Sequence, residues 1–381
     1  MSTKLPTVSI VVLAYQSVKY LPATIDSILQ QSCEDMEIVV FGNDDCQIIR
    51  WFGLQSNPRI RLILQGNSGL ANTLNQGISV TTGEYLAFVR AGDLWEPGRL
   101  YKQVACLDHY AEVGLVHSWS VLVDRQGKST GKILKQPYTM ELGMVTSPKK
   151  TSPTVALDSS QSKSNSDLEK EILARNHINL ASVMVRRSCF EVVGVFNPAL
   201  KIIPDWEMWI RLSLHYQFMA ISEPLVCCWQ NIEHDRQNWS FAETDLQIVI
   251  EQAYALLDFN LEAQKHKSYG YASLFLADKV LQDRDPDPAV ANNYCYQALQ
   301  HDPALIFSFE LCRLRWATFL LHCFQSDRYR YLQRLIQGAV SGLDNIADKI
   351  KEQSQTLIDW MLEEEDSFVF WRDRIKQQGK E

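Results

Sequence analysis

Asp93 closes the turn Arg90-Ala91-Gly92-Asp93, just past the apolar run Tyr85-Leu86-Ala87-Phe88-Val89. Ligands of open α/β sheets bind outside the carboxyl ends of the strands, so a carboxylate in that turn is well placed for chemistry. Asp44 and Asp45 stand in a similar place, behind Gly42-Asn43 and the apolar run Glu37 to Phe41. Their plainer reading is a turn with solvated acids, or a helix N-cap. In Gln65-Gly66-Asn67-Ser68-Gly69-Leu70-Ala71-Asn72-Thr73-Leu74-Asn75-Gln76-Gly77, glycines precede a helical pattern. Glycine and a helix N-terminus let backbone N–H groups approach an anionic ligand. Pro204-Asp205-Trp206-Glu207-Met208-Trp209-Ile210-Arg211-Leu212 puts a carboxylate at another helix start. There Asp205 could be an ordinary N-cap, and Trp206 and Trp209 ordinary core residues.

These residues need a scaffold, and the first 125 residues spell one. Val8 to Ala14 is a continuous apolar run, as in a parallel strand buried on both faces. Leu21, Ile25, Ile28 and Leu29 recur at helical spacing within Tyr20 to Gln31. Further strands are expected at Glu37 to Phe41, Ile60 to Leu64, Tyr85 to Val89 and Gly114 to Val123. A helix is expected over Ser68 to Val80 with Ser68 as N-cap, and another opening near Glu96-Pro97. Strand-helix alternation predicts a mainly parallel sheet covered on both faces. The stretch 144–167 is rich in Ser, Thr, Pro and Lys and reads as a mobile loop. Beyond it come a strand at Ala181 to Val185, a helix at Asp205 to His215 and a strand at Phe218 to Ile221. From Phe241 the pattern is helical. The end Ala298-Leu299-Gln300-His301-Asp302-Pro303 resembles that of a tetratricopeptide-type unit, but one unit is not an array. A helical extension packed on the first domain is the preferred reading.

Composition narrows the class. Net charge is −8 and 46% of residues are hydrophobic, which argues for an ordinary globular protein without a nucleic-acid partner. No apolar run approaches the ~20 residues that span a bilayer. The first residues read as a strand rather than a signal peptide. Nine scattered cysteines, with no C-x-x-C pair, fit reduced thiols in the cytoplasm.

Taken in order, these segments resemble the inverting family 2 glycosyltransferases over roughly residues 6–235. The resemblance implies the GT-A nucleotide-sugar-binding fold. In the family the first strand ends where Ala14 and Tyr15 stand, and the backbone and Tyr line the base pocket. An Asp pair after the next strand accepts the uracil N–H, a directional, charge-assisted bond that selects a base. Here that implicates Asn43, Asp44 and Asp45, with Asp44 preferred. Asn67, Gly69 and Asn75 match the family's helix start near the donor. The family's paired aspartates, which hold Mg²⁺ or Mn²⁺ against the diphosphate, are here Arg90 and Gly92, with Ala91 between them. That leaves Asp93 as metal ligand, since one carboxylate with water and phosphate oxygens suffices for Mg²⁺. The alternatives are that Arg90 meets the diphosphate through its guanidinium, with weak or absent metal dependence, or that Arg90 is a surface residue. Asp205 matches the family's general base for the acceptor hydroxyl. His234 follows a strand end where the family often has a metal-reaching His, though a lone His is more often a satisfied side chain.

The expectation is thus a GT-A domain over 1–240 and a helical C-terminal region over 241–381. Its function would be inverting transfer of a sugar from a UDP-linked donor to a carbohydrate or lipid-linked hydroxyl. The protein would be cytoplasmic or peripheral at the inner membrane face, with the C-terminal helices as a surface for a protein partner. The alternative is a GT-A-fold binding or scaffolding module whose donor site has decayed.

Overall fold

The computed structural model describes residues 6–15, 18–66, 68–123, 129–134, 140–141, 171–229, 239–256, 261–283 and 286–323. Contacts group Met1–Ser326 into one compact unit and Asp327–Glu381 into another, which lies outside the described residues. The stretch 144–167, Asn67 and His234 also lie outside them.

β1 (Val8–Leu13), β2 (Met36–Gly42), β3 (Ile60–Leu64) and β4 (Tyr85–Arg90) run parallel in the order β3-β2-β1-β4. All six residues of β1 are buried, which explains its unbroken apolar run. The crossovers are α1 (Leu21–Leu29), α2 (Cys46–Gly53) and α3 (Leu70–Val80). Parallel neighbours require such crossovers. The carboxyl ends of the four strands therefore share one edge of the sheet, and Tyr15, Asp44, Gln65 and Arg90 gather there.

The other half of the sheet is mixed. β5 (Leu94–Trp95), α4 (Arg99–His109), β6 (Val113–Val123), β7 (Ser129–Leu134) and β8 (Met140–Glu141) come next in the chain. They are followed by β9 (Met184–Arg186), α5 (Arg187–Val193), α6 (Pro204–Ser213) and β10 (Gln217–Trp229). β9 lies antiparallel between β4 and β6, and β10 pairs parallel with β6. A line of aromatic rings ties α6 to the first half. Phe88 of β4 meets Phe196 edge-on at 5.8 Å, and Phe196 meets Trp209 of α6 at 6.3 Å.

Helices α7 (Trp239–Ala255), α8 (Glu262–Gln282), α9 (Pro288–His301) and α10 (Phe309–Cys323) make the expected helical C-terminal region. Gly270 of α8 is a contact residue: a Cβ there would stand 2.9 Å from Leu305 Cδ1 and 3.1 Å from Asp302 Cβ. The described helices belong to the same compact unit as the sheet.

Several local expectations shift. α3 starts at Leu70 with Gly69 as its N-cap at φ +86°, so glycine rather than Ser68 turns the chain. α4 opens at Arg99 behind Gly98, not at Glu96-Pro97. Leu180–Ser182 forms a 3-10 turn, and only Met184–Arg186 of the expected strand is extended. The Phe218 strand runs on to Trp229, because β6 offers a full-length partner. Antiparallel β9 also makes the sheet less parallel than alternation implies.

Candidate active site

The turn after β4 is held from below. The Ala91 N–H donates to Leu13 O at 2.8 Å, and the Asp93 N–H donates to Arg90 O at 3.0 Å. Thr24 of α1, fully buried, donates its hydroxyl to Asp93 O at 3.0 Å and accepts the Gly92 N–H at 2.8 Å. Gly92 adopts φ +113°, a region closed to most L side chains. With glycine at 92 the turn takes a backbone shape that an aspartate at that position would strain. Thr24→Val should lose both bonds and leave a buried N–H unpaired. We expect ~2–3 kcal/mol of destabilisation, read by urea unfolding, with Thr24→Ser near wild type. Equal stability of the Val variant would dismiss the clamp.

At the neighbouring strand ends the predicted acids divide their labour. Asp45 is the N-cap of α2, its carboxylate accepting the Gln47 N–H at 2.7 Å. Asp44 is exposed and takes no part in that cap. The Asn43 carboxamide oxygen is buried without a hydrogen-bond partner. Ala14 is buried, and its N–H donates to Phe41 O at 2.8 Å. The Tyr15 hydroxyl shares hydrogen bonds with Thr73 Oγ1 at 2.9 Å and with Gln65 Nε2, and Gln65 also reaches Thr73 at 3.0 Å. Asn75 is held within the fold. Its Nδ2 donates to Phe196 O and its Oδ1 accepts the Phe196 N–H, both at 2.8 Å. Its carboxamide is thus engaged at both ends in fastening α3 to the segment before α6.

Asp205 sits in the first turn of α6 but is not the cap; that position falls to Ile203, which has no capping side chain. Its Oδ1 accepts the Trp206 N–H at 3.0 Å and its Oδ2 accepts Asn176 Nδ2 at 3.2 Å. The segment that leads into the helix is held from α7. Buried Asp245 of α7 accepts the N–H groups of Lys201, Ile202 and Ile203 at 2.8, 2.6 and 3.4 Å on one carboxylate oxygen. Trp206 and Trp209 are core residues as expected, and their indole N–H groups donate to Ile172 O at 2.7 Å and Ile178 O at 3.3 Å. Arg211 pairs with Glu207 at 2.5 Å one turn apart and fixes α6 further.

Charge links these pieces. Burial pushes the Asp205 carboxyl above the usual carboxylate range, and the Arg90 guanidinium leads the forces that oppose the rise, with the Trp206 and Asn176 N–H groups behind it. Burial raises the Cys228 thiol well above its usual value; the Asp93 charge adds to this and Arg90 opposes it. Asn179 Nδ2 donates to Cys228 Sγ at 3.1 Å. Arg90, Asp93, Asp205 and Cys228 thus share one electrostatic neighbourhood at the strand ends. Among the described residues no three His, Cys, Asp or Glu side chains form a metal cage. A divalent cation at this turn would meet Asp93 and take its other ligands from phosphate and water.

Residues 9–149 match the family model described as Glycosyl transferase family 2. That stretch of the chain is similar to a family 2 glycosyltransferase domain. An uncharacterized glycosyltransferase of Rickettsia felis is 27% identical over 210 residues, 54% of this chain and 31% of its own. The chondroitin synthase of Escherichia coli is 23% identical over 278 residues, 71% of this chain and 35% of its own. This chain therefore spans about a third of the length of these two relatives. A mannosyltransferase of Pyrobaculum calidifontis, solved with GDP-Man and Mn²⁺, is 18% identical with a TM-score of 0.46, covering 90% of this chain and 88% of its own.

The sheet order and flanking helices fit the GT-A expectation drawn from the motifs. The family match ends before Asn176, Asp205 and Asp245; Asp205 is tied to the turn by the Arg90 charge, and Asn176 is tied to Asp205 by its hydrogen bond. Asn176, Asn179, Thr24 and Asp245 were not singled out in the sequence. The string Asn176-His177-Ile178-Asn179 ahead of a strand carried the one readable signal. No helix among the described residues is long and apolar enough to cross a membrane.

Proposed function

We propose that the protein transfers a sugar from a UDP-linked donor to a hydroxyl acceptor with inversion at the anomeric carbon. The observation that carries this reading is the convergence of Asp205 with the Arg90–Asp93 turn at the carboxyl ends of the parallel strands. Asp205 would take the proton of the acceptor hydroxyl as it attacks. Its raised pKa makes it a stronger base than an exposed aspartate. Arg90 would meet the donor diphosphate, where a guanidinium forms paired hydrogen bonds. Asp93 would hold Mg²⁺ or Mn²⁺ with the phosphates, and a bound cation would offset charge on the leaving diphosphate. Tyr15 and Asp44 would hold the base. The named activities of the relatives support a transferase of this class. A carbohydrate or lipid-linked acceptor, and a protein partner for the C-terminal helices, complete the proposal.

Calorimetric titration with UDP tests the donor side. Asp44→Ala should weaken binding by about 1.5–3 kcal/mol, the range for hydrogen bonds to a charged group, without lowering stability. Asp45→Ala should do the reverse, losing ~1 kcal/mol of stability with its cap while binding UDP nearly as before. Unchanged UDP affinity in Asp44→Ala would remove the base-reading role. Failure of UDP to bind the wild type under any metal condition would favour a binding module with a decayed donor site.

A further inference from the structure

The segment 172–178 is fastened on every side and still presents a side chain to the candidate base. Asn176 accepts the Ile178 N–H on its Oδ1 at 3.2 Å, which fixes the rotamer and aims Nδ2 at Asp205 Oδ2. Its neighbour Arg175 is tethered to the C-terminal helices. The Arg175 guanidinium lies 4.7 Å over the Tyr271 ring of α8 and pairs with Glu310 of α10 at 3.5 Å. On the other side, Ser268 of α8 donates to Leu173 O at 2.8 Å. A carboxylate with one free side chain bond can rotate; one gripped at both oxygens cannot.

We infer that Asn176 is a positioning residue for Asp205, and that α8 and α10 hold it in place through Arg175 and Leu173. The inference rests on the reading of Asp205 as the acceptor base and assigns the helical region a share in that site. An N–H donated to a carboxylate favours its charged form. Asn176 thereby keeps the half-buried Asp205 ionised and turned toward the acceptor, while Oδ1 stays on the backbone. The Arg90 guanidinium, at the end of β4, also favours the charged form of Asp205. His177, beside Asn176, is pushed down to about 3 by burial and by Arg175, so it stays neutral and adds no charge.

The test is the pH profile of UDP release from a UDP-sugar that the wild type turns over. Asp205 acts only when deprotonated, so its pKa sets the acidic limb of the rate. Removing the Asn176 donor raises that pKa, and the limb should move up by about one pH unit in Asn176→Ala. Asn176→Asp keeps the shape but replaces the donor with a second carboxylate, so its limb should move at least as far. Arg175→Met, which cuts the tether, should shift it in the same direction by less, with UDP affinity unchanged in all three. A uniform loss of rate with the limb unmoved would mean that Asn176 only supports the fold, and would overturn the inference. If Asn176→Ala is too unstable to assay, an unmoved limb in both of the other variants overturns it equally. The reading beneath it fails differently: Asp205→Asn would then remain active.

Discussion

Asp205→Asn should lower the rate of sugar transfer by ~10²–10⁴, the usual range for loss of a general base. UDP affinity should stay within about twofold, because Asp205 would meet the acceptor hydroxyl and not the nucleotide. The Asn side chain is the right shape to keep the fold. Its oxygen can still accept the Trp206 N–H that Oδ1 accepts now, and the α6 start remains held by Asp245 through three backbone N–H groups. The wild-type rate should fall on the acid side, with a midpoint above that of an exposed aspartate, because burial disfavours the charged carboxyl. That limb should vanish in the Asn variant. Measured transfer by Asp205→Asn at near wild-type rate would end the base assignment.

The domain's outline was legible because burial writes itself into composition. β1 and β4 are covered on both faces, so their residues are apolar without a break, and their places were read correctly. The paired acids were legible only as a pair. Which one caps α2 depends on where the helix starts, and the structure gives that work to Asp45. Asn75 matched a family position yet clasps the backbone of Phe196, a partner 121 residues away. No local pattern announces so distant a bond. A shorter separation, 43 residues from Ile202, still hid Asp245, whose carboxylate holds residues 201–203 from a helix read as mere extension. Gly92 shows the opposite case. Its φ of +113° shows a turn that suits glycine, where the sequence alone showed only which residue stands there.

Arg90→Met, titrated with UDP in EDTA, should bind about 10–100-fold more weakly than the wild type, as expected for loss of charge-assisted hydrogen bonds to phosphate. Arg90 ends β4 beside Ala91, whose N–H is pinned to Leu13, so its backbone is fixed at the edge where the donor would lie. Its charge already acts on Asp205 and Cys228. It therefore has two tasks to lose. Without it the Asp205 carboxyl rises further, and the acidic limb of the transfer rate should move to higher pH together with the weaker UDP binding. Mn²⁺ should restore part of the affinity through Asp93, because a cation and a guanidinium offset the same diphosphate charge. Restoring the family's aspartate pair is not a clean test, since Gly92→Asp would strain the turn; Arg90→Asp alone is the better probe. It should raise Mn²⁺ dependence while leaving the backbone as it is. Two results would separate the tasks. If EDTA abolishes wild-type binding and Arg90→Met binds UDP normally, the metal at Asp93 carries the diphosphate and Arg90 serves only Asp205. If affinity falls but the limb stays, Arg90 serves only the donor.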